Sequence, residues 1–173
     1  MSSSASTVTK RAEQEQASGS LLVVNMRGLV NTRTPVLTTL TQLSIARRFN
    51  ATIVLDNKVY RGMLHLAKEH VAWCKLDNVT AEKLLRSRSE KSTGVKISES
   101  ELKANNKSYS SFANLASDLE SGKVKLGSVS GLRPFFRLSP PRGGFKRSTR
   151  RQYRQGGILG QNEELSKLLE KML

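Results

Sequence analysis

Leu21-Leu-Val-Val-Asn-Met26, Ala51-Thr-Ile-Val-Leu55 and Val71-Ala-Trp-Cys-Lys-Leu76 are the stretches whose reading decides the fold. Each is a short apolar or alternating run of strand length, and each stops at a turn signal: Arg27-Gly28, Asp56-Asn57 and Asp77-Asn78. The first is apolar at its start and alternates later. The second is nearly continuous, which predicts a central strand. Between the runs, apolar residues recur at helical spacing. Thr34-Pro35 predicts a helix start, with Thr at the N-cap and Pro in the first turn. Val36, Leu37, Leu40, Leu43 and Ile45 follow, and the helix is expected to end near Arg47-Arg48, where cations suit the negative end of the helix dipole. A second helix is expected from about Gly62 to His70, with Met63, Leu64, Ala67 and Val71 inward. Strand, helix, strand, helix, strand over residues 20–78 predicts an α+β (α/β) core: a small antiparallel or mixed sheet with helices on one face.

Working outward, residues 79–122 read as a helical insertion packed on that sheet. Short helices are expected at Thr80 to Arg88, after the capping-box spacing Ser98-Glu-Ser-Glu101, and after Ser110 or Ser111. The last has Phe112, Leu115, Ala116 and Leu119 on one face and Gly122 past its end. Residues 123–160 lose all periodicity. Pro134, Pro140 and Pro141 exclude a helix, Gly143-Gly144 and Gly156-Gly157 loosen the backbone, and Phe135-Phe-Arg-Leu138 is a short extended piece. The expectation is an extended basic C-terminal arm. Residues 161–173 predict a terminal helix with the stripe Leu165, Leu168, Leu169 and Met172, acids Glu163 and Glu164 first and Lys171 last. Residues 1–19, rich in Ser, Thr, Gln and Glu, read as a disordered tail.

Composition sharpens the picture. The 173 residues carry 29 Lys and Arg against 14 Asp and Glu, a formal charge of +15. Such an excess implies a polyanionic partner, nucleic acid or an anionic membrane face. Residues 123–160 alone hold 10 bases and no acid, so two thirds of the excess lies there, while residues 79–122 hold 7 bases and 6 acids. Leu, Ile, Val and Phe number 44, enough for a modest core. The longest apolar runs are four residues, far from the ~20 that span a bilayer, and residues 1–19 lack the apolar centre of a secretory signal. The single cysteine, Cys74, excludes an internal disulfide and a multi-thiolate metal site, and fits a reducing, cytoplasmic compartment. His65 and His70 are five apart, about 140° around a helix, so they do not share a metal-binding face.

The chemistry points to the stretch Arg133 to Arg154. Its cations are Arg133, Arg137, Arg142, Lys146, Arg147, Arg150, Arg151 and Arg154, mostly forked guanidiniums that match phosphate oxygens. Phe145 and Tyr153 are interleaved and suit stacking on unpaired bases. A solubilising loop and a membrane-surface patch are the bland alternatives; the second lacks an amphipathic stripe. The sheet unit adds Arg27 and Arg33 around its first loop, Arg47 and Arg48 before the second strand, and Lys58 and Arg61 ahead of the second helix, where free N–H groups also attract phosphate. These loops fall at both ends of the sheet and need not form one patch. Catalysis finds no support. No Gly-Lys-Ser/Thr follows the paired glycines, no Gly-x-Ser-x-Gly occurs, and Asp56, Glu69 and Asp77 are isolated acids near strand ends. No enzyme activity, cofactor, metal or small-molecule substrate is expected.

Val23-Val-Asn-Met-Arg-Gly28, Thr34-Pro35, Tyr60-Arg-Gly-Met63 and Gly122-Lys-Val-Lys-Leu126 carry a resemblance, as does Gly156-Gly-Ile-Leu-Gly160. Its specific part is Gly131-Leu-Arg-Pro-Phe-Phe-Arg-Leu-Ser-Pro-Pro-Arg-Gly-Gly-Phe-Lys-Arg147. From about Leu21 to Gly160 the chain resembles the large-subunit ribosomal protein family numbered thirty in bacteria and archaea and seven in eukaryotes, in its long archaeal form. The resemblance implies a ferredoxin-like core, a helical insertion and an RNA-binding arm. It implies a structural constituent of the large ribosomal subunit that binds and stabilises the subunit's ribosomal RNA, near the 5S RNA and beside neighbouring large-subunit proteins, in the cytoplasm and off the membrane. Two departures stand out: Asn25 occupies a position where a basic residue is common, and a neutral Ser-rich tail replaces the long basic extension of eukaryotic members. A free RNA-binding regulator outside the ribosome would use the same residues and is the alternative function.

Overall fold

β1 (Ser20–Asn25) is buried along all six of its residues, so it needs cover on both faces of the sheet. Its alternating side chains divide accordingly: Leu22 and Val24 enter one apolar cluster, Leu21 and Val23 the other. In the computed structural model, which describes residues 19–91, 93–105, 109 and 111–173, β1 lies antiparallel between β2 (Asn50–Leu55) and β3 (Val71–Lys75). The helix α1 (Thr34–Gln42) joins β1 to β2, and α2 (Lys58–Leu66) joins β2 to β3. Leu40, Leu43, Ile45, Leu64 and Ala67 close over Leu21, Val23 and Val71. This is the expected α+β unit, consistent with a ferredoxin-like core. The tail expected before Gly19 and the Ser110 cap lie outside the described residues.

The opposite face carries the larger core. Leu84 and Leu85 of α3 (Asn78–Arg88), Leu102 of α4 (Glu99–Asn105) and Leu115 and Leu119 of α5 (Phe112–Glu120) bury against it, with Leu165 and Leu169 of α6 (Leu165–Glu170). Helices therefore cover both sheet faces, not one, because β1 has no polar side to leave in water. Ser111 caps α5, its hydroxyl accepting the Ala113 N–H at 3.3 Å. Ser98 receives only half of a capping box, donating its N–H to Glu101 at 3.3 Å. The terminal helix is shorter than expected but firmly seated. Lys83 bridges to Glu170 at 2.6 Å, and Arg88 donates to Ser139 Oγ at 2.8 Å and to the Leu173 carbonyl.

Three further corrections concern the strands and helix ends. The sheet has six strands, ordered β4-β2-β1-β3-β6-β5. The added strands all come from residues 123–160: β4 (Phe136–Arg137), β5 (Ser148–Gln152) and β6 (Gly157–Gln161). β4 runs antiparallel to β2 (Asn50↔Arg137), β6 runs parallel to β3 (Ala72↔Gly160), and β5 runs parallel to β6. Phe136, Ile158 and Leu159 draw this segment into the core. Only the reach from Arg142 to Gly156 has no buried residue. The two strands at the centre of the sheet are β1 and β3, not β2, whose outer partner is the two-residue β4. Finally, α1 takes Arg33 rather than Thr34 at its N-cap and stops at Gln42, while α2 starts at Lys58, where Asn57 Oδ1 accepts the Tyr60 N–H at 2.9 Å.

Candidate nucleic-acid interface

The end of β1 and the starts of β2 and β3 meet at one end of the sheet, where Val24 pairs with Ala51 and Asn25 with Val71. Asn25 is fully buried there. Its Nδ2 donates to the Ile45 carbonyl at 2.8 Å, and its Oδ1 accepts the Arg27 and Gly28 N–H groups at 3.1 and 3.2 Å. One amide side chain thus ties together the two connections that hold Arg27, Arg47 and Arg48. Arg48 Nε donates to the Met26 carbonyl at 3.1 Å, and Arg27 donates to the Glu69 carbonyl at 3.3 Å. Arg33 and Arg47 are exposed on the same connections. Arg137 on β4 lies opposite Asn50, at this same end. His70 sits here too. Burial, and then the charge of Arg27, hold its pKa below the usual imidazole value.

Phe49 is the joint between this end and the arm. It takes φ 64, a left-handed backbone that an aromatic residue adopts at a cost of about 1–3 kcal/mol. The conformation is held from both sides: the Phe49 N–H donates to the Asn25 carbonyl at 2.7 Å, and the Phe49 carbonyl accepts the Leu138 N–H at 3.0 Å. The Arg48 guanidinium lies over its ring at 4.6 Å. Phe145 stacks against it with ring centroids 6.1 Å apart. Phe145, expected to stack on RNA bases, is therefore half-buried with Phe49 against one face. Tyr153 likewise carries the Arg147 guanidinium at 4.9 Å, and Arg147 also pairs with Glu164 at 3.2 Å.

Other expected site residues part company. Arg133 is turned inward, its side chain 17% exposed and bridged to Glu90 at 3.0 Å, so it fastens the start of the arm to the insertion. Lys58 and Arg61 lie at the opposite sheet end. Arg61 closes on Asp56 through two hydrogen bonds of 2.5 and 2.8 Å, and that contact holds the Asp56 carboxyl below its ordinary range. Of the ten cations in residues 123–160, Lys123, Arg133 and Arg147 pair with acids. The other seven, Lys125, Arg137, Arg142, Lys146, Arg150, Arg151 and Arg154, form no ion pair among the described residues, and all are exposed. In the insertion, Lys83, Arg86 and Lys91 are matched by Glu residues, while Lys96 and Lys103 are exposed and form no ion pair among the described residues. Sequence reasoning missed Phe49, whose signal was an aromatic set directly after Arg47-Arg48. It also missed Lys167 and Lys171, which stand beside the arm only because α6 folds back onto it.

Among the described residues no His, Cys, Asp or Glu cluster could hold a metal, and no helix is long and apolar enough to cross a membrane. Cys74 is buried, which pushes its thiol up to about 12 and makes it inert. No family model matches the chain. Individual relatives do. The large ribosomal subunit protein uL30 of Korarchaeum cryptofilum is 37% identical over 154 residues, covering 88% of this chain and 94% of its own. That of Nitrosopumilus maritimus is 38% identical over 153 residues, 88% and 97% covered. That of Methanocella arvoryzae is 35% identical over 151 residues, 87% and 97% covered. The chain belongs to the uL30 family of large ribosomal subunit proteins. These three relatives are archaeal, in keeping with the long archaeal form of the resemblance. The share of the chain left unmatched, about an eighth, is smaller than the basic segment 123–160, so the uL30 likeness reaches past residues 20–78 into that segment.

Proposed function

We propose that this chain is a structural constituent of the large ribosomal subunit that binds and stabilises the subunit's ribosomal RNA and catalyses no reaction. The observation that carries this reading is the set of seven exposed cations, forming no ion pair among the described residues, in one acid-free segment fastened by Phe145 and Phe49 to a sheet end that adds Arg27, Arg33, Arg47 and Arg48. The folded sheet orients the segment. Its guanidiniums and ammoniums then neutralise phosphates of RNA helices that would otherwise repel each other. Contacts are to backbone and shape, with little sequence readout. The place of action is the ribosome in the cytoplasm, near the 5S RNA and beside other large-subunit proteins. The test is sedimentation. An epitope-tagged chain in an archaeal host should travel with the large subunit through a sucrose gradient and stay there after a high-salt wash. Recovery only near the top of the gradient would overturn this in favour of a free RNA-binding regulator.

A further inference from the structure

Between the first turn of the arm and α6 lies a cleft of about 360 Å³, lined by Phe145, Ile158 and Leu168 and by Lys146, Lys167 and Lys171. That volume falls within the ~300–1,000 Å³ of sites that hold one small organic group. Its floor is apolar and fixed. Ile158 is 4% exposed, and Phe145 and Leu168 pack on the main core. Phe145 is further held from behind by the Phe49 ring, so it is an immobilised aromatic platform. Its rim is cationic: Lys146, Lys167 and Lys171 are exposed and form no ion pair among the described residues, while Glu164 is engaged by Arg147. The walls are tied together, since the Arg142 N–H donates to the Lys171 carbonyl at 2.9 Å. Asn162 is 3% exposed and its amide is turned to the backbone, donating to the Ile158 carbonyl and accepting the Glu164 N–H. The cleft thus combines a stacking surface, three positive charges and no side-chain amide able to discriminate one base edge from another.

We propose that this cleft takes a single unpaired nucleotide of the bound RNA, with its base on Phe145 between Ile158 and Leu168 and its flanking phosphates on Lys146, Lys167 and Lys171. The proposal rests on the RNA-binding reading and adds to it a base-tolerant pocket whose lining includes none of the sheet-end arginines. It also gives α6 a role beyond closing the core.

The full-length protein is titrated at one fixed salt concentration with three hairpin RNAs. One is fully paired, one carries a single bulged adenosine, and one carries an abasic bulge at the same place. The adenosine bulge is expected to bind about tenfold tighter than the other two. Lys167→Gln combined with Lys171→Gln should reduce that preference to within about twofold, read as the ratio of affinities for the bulged and paired hairpins within the same variant. Phe145→Ala should also remove the preference, and the lysine variant, altered only at exposed positions, decides the matter if Phe145→Ala misfolds or frees the arm. Equal binding of all three RNAs by the unaltered protein, or a preference that survives the lysine substitutions, overturns the pocket. Failure to bind any of the three overturns the RNA-binding reading itself.

Discussion

Asp56 and Arg61 face each other across the first turn of α2, the carboxylate 4% exposed and the guanidinium 66%. Hydrogen bonding from Arg61 lowers the Asp56 pKa and its charge adds to the effect, while burial works against both. A carboxyl depressed in the fold contributes stability that is present above its ordinary pKa of 3.8 and lost as pH falls through the lower folded value. Asp56→Asn should therefore cost about 1 kcal/mol at pH 7, a modest figure because Arg61 is largely in solvent. That cost should be smaller at pH 2, below the ordinary carboxyl pKa of 3.8. Urea unfolding at the two pH values checks it, and an equal cost at both would rule out the ionised pair. The sequence placed Arg61 among phosphate contacts because the helix was expected to begin after it. With Asn57 capping the helix earlier, Arg61 sits within reach of Asp56. Asn25 shows the same limit. In a one-dimensional string it is a polar residue where a basic one is common. Only the approach of residues 45 and 46 to the end of β1 makes it a buried amide with both ends satisfied.

At the scale of elements, β6 depends on one close approach. A Cβ on Gly157 would lie 1.9 Å from the Arg151 carbonyl oxygen and 2.3 Å from its carbon, both backbone atoms that cannot swing aside. Gly157→Ala should push β5 off β6 and destabilise at the upper end of the ~1–3 kcal/mol seen for overpacking. Faster amide exchange across Ser148–Gln152 would accompany the loss. Gly62→Ala is the matched control: nothing lies within 4 Å of that position, so a helix-interior alanine should stabilise by about 0.5–1 kcal/mol. Thermal unfolding of both variants gives the comparison, and a neutral Gly157→Ala would mean that β5 is not paired as described. The same elements show what could be read in advance. β1, β2 and β3 announce themselves because burial on two faces leaves continuous apolar runs. Ser148-Thr-Arg-Arg-Gln152 contains no apolar residue, since β5 pairs along one edge and buries neither face. β4 is two residues long, and β6 carries only Ile158 and Leu159 between its glycines and Gln161. Neither length nor alternation signals such strands; their partners form them.

For the molecule as a whole, the question is whether +15 acts as a sum or as a place. A net charge acting at long range would make every cation equivalent for RNA affinity, apart from screening over roughly 10 Å at moderate salt. The arrangement of pairs argues for place. Lys83, Arg86 and Lys91 hold the insertion together through Glu170, Glu82 and Glu101, so RNA would have to break those contacts before gaining theirs. Arg150, Arg151 and Arg154 are exposed and form no ion pair among the described residues, so each is available to displace a counterion from RNA. Two triple variants separate the cases while removing equal charge. Arg150→Ala, Arg151→Ala and Arg154→Ala together should flatten the plot of log affinity against log salt by about 2, at ~0.7–0.9 per lost phosphate contact. Lys83→Ala, Arg86→Ala and Lys91→Ala together should leave that slope nearly unchanged and show only the small stability loss of broken surface pairs, ~0.2–1 kcal/mol each. Fluorescence anisotropy with one RNA hairpin between 50 and 300 mM salt, roughly the range in which counterion release dominates, measures both slopes. If the two variants flatten the slope equally, the charge works as a sum and the arm has no privileged part in holding RNA. If only the arm variant does, the seven bases of residues 123–160 that form no ion pair among the described residues are a surface shaped for phosphate, and the paired charges serve the fold.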